Sequence, residues 1–319
     1  MSFAIRFMPE RAVAIQIGSL EIRWYAIFIL TGAILAFLWV RAQLKRDGRD
    51  PSMYDTFFVL VIPIALLGAR LWYVVGDLDE FVGKDFLYII NPASGGLAIQ
   101  GGVMAGILFG IIYFRKKYKE VPLSYHLDTI VPAVLIGQIL GRWGNFMNQE
   151  VFGKCVDGDS LWFIPNFILE QVNEGGCSVG MYNQPLFLYE SFFNTIGFVL
   201  IAVVLRNLWK KYRKPCDLCA CYLIWYGLVR FILEPFRIEK FIMKFAGIPL
   251  SIATSILFIV AGIAIMIFAR FYFKDKSFEN LYINDYFLKM QEEKRLHRQK
   301  LIEEKRKEIL EKRKNNSES

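Results

Sequence analysis

Long apolar runs, separated by short polar connections, organise this chain. Seven stretches hold almost no charge for the length a membrane helix needs, roughly 20 residues at about 1.5 Å rise each across a hydrocarbon core of about 30 Å. They cover residues 24–40, 57–75, 95–114, 127–147, 185–205, 218–235 and 249–273. The pattern predicts an all-α membrane protein with seven transmembrane helices over residues 1–273. A longer outer connection near 150–184 reads as a cap, and 274–319 as a charged tail. The 23 residues before the first run are mixed and include Pro9, Glu10 and Glu21, so a cleaved leader is not expected.

Composition agrees with this reading. Of 319 residues, 55% are hydrophobic and the mean hydropathy is +0.35, against about 45–50% apolar residues in soluble domains. The net charge of +8 is mostly a matter of topology, because 27 of the 38 basic residues fall in segments 41–49, 115–119, 206–214 and 270–314. Alternating helices place all four segments on one face, and cytoplasmic loops carry the excess of lysine and arginine. The opposite face carries the acidic stretch Asp77, Asp79, Glu80 and Asp85. The N-terminus is therefore expected outside and the C-terminus in the cytoplasm. Nucleic acid is not implied, since the tail mixes signs (Glu292, Glu293, Lys294, Arg295, Glu303, Glu304, Lys305) and reads as a solvated helix or one weakly drawn to anionic lipid.

The five cysteines divide by side. Cys155 and Cys177 share the outer connection, the one place where a disulfide is plausible, while Cys216, Cys219 and Cys221 sit at the inner entry to the sixth run. The Cys216/Cys219 spacing has no second pair, and the two histidines are His126 and His297. No metal and no cofactor are expected, because a structural zinc needs four ligands.

Ionisable residues inside apolar runs are costly, about 2.5 to 3.5 kcal/mol on insertion scales, and mark functional sites by default. At 100° per residue, Tyr226, Arg230, Glu234 and Arg237 share one arc of the sixth run, and Pro235 breaks the helix beside Glu234. Arg230 and Glu234, one turn apart, also admit a simple ion pair. In the fourth run Gln138, Arg142, Asn145 and Gln149 share a face, with Gly141 and Gly144 permitting close approach. Glu190 and Asn194 lie just inside the fifth run, Arg70 in the second and Tyr25 in the first. The glycine-rich segment around Gln100 (Gly95, Gly96, Gly101, Gly102) lacks the lysine of a phosphate loop and reads as close backbone packing. Arginine suits bidentate phosphate recognition, and Arg142 and Arg230 both lie at outer headgroup depth, so a phospholipid is the natural ligand. A secondary transporter for an anionic solute is the competing reading, although the chain shows no internal repeat.

The run from Gly141 to Gly153, GRWGNFMNQEVFG, resembles the signature of bacterial prolipoprotein diacylglyceryl transferases. Gly68-Ala69-Arg70-Leu71, the glycine pairs flanking Gln100, Gln184-Pro185 with Leu188-Tyr189-Glu190, and Tyr226-Gly227-Leu228 with Arg230-Phe231 and Glu234 agree in order and spacing. The resemblance implies a multi-pass enzyme of the bacterial cytoplasmic (inner) membrane whose active site faces the periplasm. It implies transfer of the diacylglyceryl group of phosphatidylglycerol to the lipobox cysteine thiol of a preprolipoprotein, making a thioether and releasing glycerol phosphate. Arg142, Arg230, Glu234 and Asn145 would be catalytic; Tyr25, Arg70, Gln100, Glu150, Gly153, Glu190, Tyr226 and Arg237 would bind lipid together with Arg142, Asn145 and Arg230. Many members of the family have histidine, and others tyrosine, where this chain has Gln100. A proton acceptor here is therefore a carboxylate, Glu234 or Glu190, or the departing phosphate.

Overall fold

The computed structural model describes residues 13–17, 20–91, 96–117, 121–172, 177–238, 244–245 and 248–274, with 277–279, 282, 292–293 and 295–304 of the tail. Seven long helices follow in chain order among these residues. They are α1 (Trp24–Arg46), α2 (Ser52–Gly76), α3 (Ile99–Lys117), α4 (Leu123–Met147), α5 (Leu186–Leu208), α6 (Asp217–Phe236) and α7 (Leu250–Phe273). Six of them are long and apolar enough to cross a membrane; α3 is the exception. It has 19 residues, and its last turn is Arg115-Lys116-Lys117, which shortens the apolar part. The expected start at Gly95 lies outside the described residues, and the helix begins at Ile99.

Prolines and crowding modulate the helices. Pro132 sits in a 3-10 turn, Val131–Ala133, inside α4, and α5 widens to a π-helix over Phe198–Leu205. In α6 the regular helix stops at Leu233, and Pro235 tightens Glu234–Phe236 into a 3-10 turn.

Apolar side chains gain little by leaving lipid for another helix, so close backbone contact and polar pairs must hold the bundle. Glycines supply that contact. A Cβ on Gly32 of α1 would lie 3.0 Å from the Cα of Gly137 in α4. On Gly68 of α2 it would lie 2.7 Å from the Gly101 carbonyl of α3, and on Gly262 of α7 2.7 Å from the Ala220 carbonyl of α6. Leu38, Val59, Leu71, Leu108, Leu257 and Phe268 are left exposed on the outside of the bundle, as a lipid-facing surface requires.

The end of the bundle bearing the basic connections holds an unexpected polar core. Arg206 reaches Asp47 at 2.7 Å, the Gln43 side chain at 3.0 Å and the Asp128 carbonyl at 3.3 Å. The Asp128 carboxylate accepts the backbone N–H groups of Cys216 and Cys219 at 2.9 and 3.0 Å, and Arg270 pairs with Asp217. Burial, and after it the nearby Asp128 and Asp217 carboxylates, push the Cys216 thiol up to about 12. These buried charges lie at the end of the bundle opposite Arg142 and Arg230.

The start of the tail is docked rather than solvated. Phe278 is fully buried (0% exposed), stacked on Tyr125 and lying 3.7 Å beneath the Arg213 guanidinium. Its N–H donates to the Arg213 carbonyl at 2.8 Å. Tyr282 accepts Arg49 through its carbonyl at 2.7 Å and meets Ser124 through its hydroxyl at 2.6 Å. The tail thus joins the α1–α2, α3–α4 and α5–α6 connections. Residues 295–304 form an exposed helical stretch.

Short strands finish the opposite, cap end. Strands β1 (Val13–Ile17) and β2 (Leu20–Arg23) form a hairpin leading into α1. Strands β3 (Cys155–Asp157) and β4 (Met181–Asn183) pair antiparallel in the α4–α5 connection, next to the disulfide Cys155–Cys177. A short helix, Asn166–Val172, buries Ile168, Leu169 and Val172 against Phe146, Phe152 and Phe187. Strands β5 (Lys244–Phe245) and β6 (Ile248–Pro249) lead into α7.

Removing the Phe278 ring should open a cavity at a joint of four segments. Phe278→Ala is expected to lower stability by about 3–5 kcal/mol, read as a lower Tm in detergent, with the exposed Leu296→Ala unchanged. Equal Tm values for the two variants would show that the tail does not secure this end.

Candidate active site

The functional side chains come from helix ends that meet beneath the cap. Arg142 lies near the end of α4, Glu190 near the start of α5, Arg230 and Glu234 near the end of α6, and Tyr25 at the start of α1. Successive helices run in opposite directions, so these ends share one side of the bundle.

Glu190 is the hub. Its carboxylate accepts Arg142 Nη2 at 2.5 Å, Arg230 Nη1 at 3.1 Å and Arg237 Nη2 at 3.2 Å. Glu234 accepts Arg230 Nη2 at 3.1 Å and lies 3.8 Å from Arg237 Nε. The Ser251 hydroxyl of α7 donates to the other Glu234 oxygen. Both carboxylates are 2% exposed, whereas the Arg142 and Arg230 side chains keep 19% and 13% of their surface. Three guanidiniums share these two carboxylates, and the open edge of the cluster lies on the arginines. The simple Arg230–Glu234 pair exists, inside this larger network.

A second arm runs from Arg142 through the turn after α4. Arg142 Nη1 donates to Asn145 Oδ1 at 3.3 Å, and Asn145 Nδ2 donates to Glu150 at 2.7 Å. Glu150 sits between Gln149 (φ 53°) and Val151 (φ 64°). Two non-glycine residues with positive φ, one of them β-branched, store strain of a kind that concentrates at functional sites. Tyr25 lies against Gly144, where a Cβ would come 2.8 Å from its ring, and within electrostatic reach of Glu150 and Arg142. Tyr226 stacks on Tyr222, ring centroids 6.0 Å apart, one turn before Arg230.

Gly153 is part of the frame. Its N–H donates to the Gln184 carbonyl at 2.9 Å, it bridges to Arg237, and a Cβ there would sit 2.6 Å from the Gln184 side chain and 3.1 Å from the Phe236 carbonyl. This seam returns the chain after Pro235 to the site and aims Arg237 at Glu190. Pro235 interrupts the helical register before Arg237, so this seam and not the helix sets its position.

Two expected residues are placed elsewhere. Arg70 is buried in α2, where it donates to the carbonyls of Tyr88, Ile89 and Gly96 at 3.0, 2.8 and 3.3 Å, and its guanidinium lies 5.0 Å from the Phe81 ring. It holds the α2–α3 connection, where peptide oxygens occupy the donors a phosphate would use. Gln100 is exposed in the first turn of α3, and among the described residues no hydrogen bond joins it to the arginine cluster; the close packing expected around it falls to Gly101, 2.3 Å from the Gly68 carbonyl for a Cβ. Sequence reading missed Ser251, because a serine in a first helical turn is commonplace, and the Trp143 indole bond to Ser191 at 3.2 Å.

A family model described as prolipoprotein diacylglyceryl transferase matches residues 12–268. The phosphatidylglycerol–prolipoprotein diacylglyceryl transferase of Streptococcus sanguinis is 40% identical over 261 residues, 81% of this chain and 95% of that protein. Those of Streptococcus pneumoniae and Streptococcus suis are 40% and 38% identical, over 80% and 81% of this chain and 93% and 92% of theirs. With one match spanning most of the chain and relatives covered nearly end to end, the chain belongs to the prolipoprotein diacylglyceryl transferase family.

Proposed function

We propose that this chain transfers the diacylglyceryl group of phosphatidylglycerol to the lipobox cysteine thiol of preprolipoproteins, the first step of bacterial lipoprotein maturation. The observation that carries it is the pair of guanidiniums of Arg142 and Arg230, open at their edges and backed by closed carboxylates. The thiol sulfur attacks the glycerol carbon, the bond from that carbon to the phosphate oxygen breaks, and glycerol phosphate leaves with the bonding pair. Charge grows on the departing phosphate, and preorganised guanidiniums stabilise it. Asn145 and Glu150 hold Arg142 from behind, and Tyr25 and Tyr226 flank the lipid. The thiol proton passes to Glu190, Glu234 or the departing phosphate.

The family and the apolar helices support a multi-pass membrane protein. We place it in the bacterial cytoplasmic membrane, with α3 as the seventh span, the N-terminus and site on the periplasmic side and the C-terminus inside. The basic connections support this orientation. Residues 1–273 then form the catalytic domain, and the cap, with Trp162 85% exposed, lies where a lipobox peptide would approach.

Anion transport is the less favoured reading. Buried charges exist at both ends of the bundle, but Leu135, midway between Asp128 and Arg142 on α4, and Ile201 on α5 are buried in an apolar layer between them. The polar contact in this layer, Gln138 Nε2 donating to the Tyr222 hydroxyl at 2.9 Å, carries no charge.

With phosphatidylglycerol and a lipobox peptide in detergent, wild type should convert the peptide to its diacylglyceryl thioether, read by mass. Arg142→Ala and Arg230→Ala, still folded, should each lose at least about 100-fold, or about 2.7 kcal/mol of transition-state stabilisation. No adduct from wild type, under conditions where the Streptococcus sanguinis relative makes one, would overturn the assignment. For orientation, a membrane-impermeant maleimide applied to intact spheroplasts should label Trp162→Cys, and should label Tyr212→Cys only after lysis; the reverse pattern would invert the topology.

A further inference from the structure

Resting on the transferase reading, we propose that Ser251 is a positioning residue that fixes the Glu234 carboxylate and, through it, the two arginines on α6 and its following turn. Glu234 divides its oxygens. Oε2 accepts Arg230 at 3.1 Å and faces Arg237 Nε at 3.8 Å, while Oε1 accepts the Ser251 hydroxyl. Arg237 Nε is buried without a hydrogen-bond partner. A carboxylate free to turn would take that N–H and draw Arg237 from its 3.2 Å bond to Glu190. Ser251, by occupying Oε1, blocks the turn and keeps Arg237 shared between the two carboxylates.

The placement of Ser251 is rigid. A Cβ on Gly227 would lie 2.7 Å from the Ser255 carbonyl, and one on Gly262 2.7 Å from the Ala220 carbonyl. The α6 and α7 backbones therefore touch at two separated points, and α7 cannot slide along α6. Ser251 lies one turn before Ser255, whose hydroxyl donates back to the Ser251 carbonyl at 2.6 Å. Glu234 lies two turns beyond Gly227, so the register of the helix pair delivers the hydroxyl to the carboxylate.

The test compares wild type, Ser251→Ala, Ser251→Thr and the packing control Ser255→Ala in the detergent assay, with Tm and phosphatidylglycerol saturation curves for each. Ser251→Ala should lower kcat by about tenfold, the scale of one hydrogen bond to a charged group, at unchanged Tm and with KM moved less than kcat. Ser251→Thr, which keeps the hydroxyl, should recover most of the rate, and Ser255→Ala should stay near wild type. Wild-type kcat in Ser251→Ala would overturn the role, as would a threonine variant no better than alanine or an equal loss in Ser255→Ala. If wild type itself forms no thioether, the transferase reading fails and this role falls with it, a result distinct from a variant-specific null.

Discussion

A carboxylate buried among apolar helices stays charged only when cations and hydrogen-bond donors surround it, and Glu190 meets that condition with three arginines from two helices and a following turn. The rest of the cap end follows from this requirement. Arg142 must arrive from α4, which Gly32, Gly137 and Gly144 bring close to α1. Arg237 must return after a proline break, which the seam through Gly153, Gln184 and Phe236 arranges. The arginines in turn need the carboxylate, since three guanidiniums this close would otherwise repel one another. Each partner makes the burial of the others tolerable.

The division of exposure within the cluster gives it direction. Closed carboxylates and partly exposed arginines form a surface of N–H donors, so an approaching anion meets donors rather than acceptors. The strained turn around Glu150 and the hydroxyl of Ser251 brace the cluster from opposite sides.

Much of this was legible in the sequence, and the exceptions have physical reasons. Apolar runs of membrane length located the helices, because lipid forbids unsatisfied backbone. The 100° periodicity put Arg230 and Glu234 on one face, and arginines at headgroup depth marked the site. Periodicity describes one helix at a time, however, and says nothing of what faces it. Arg70 looked like another phosphate ligand, yet its partners are carbonyls of its own following connection, a tertiary fact with no sequence mark. Asp47 and Arg206 fell in segments counted for topology and Asp128 at the start of the fourth run, so their mutual burial stayed hidden. Ser251 is ordinary by type and position, and only the register of α6 on α7 gives it a role.

The docked tail separates two kinds of boundary that usually coincide. Similarity to the family ends at residue 268, yet the protein core extends past it to Phe278 and Tyr282, which fill space among three connections that lie inside the family region. The family match thus stops ten residues before Phe278 and fourteen before Tyr282. The connections inside the matched region therefore complete their contacts beyond it, Arg213 and Tyr125 against the Phe278 ring and Arg49 on the Tyr282 carbonyl, so a boundary drawn by similarity would cut through a packed core.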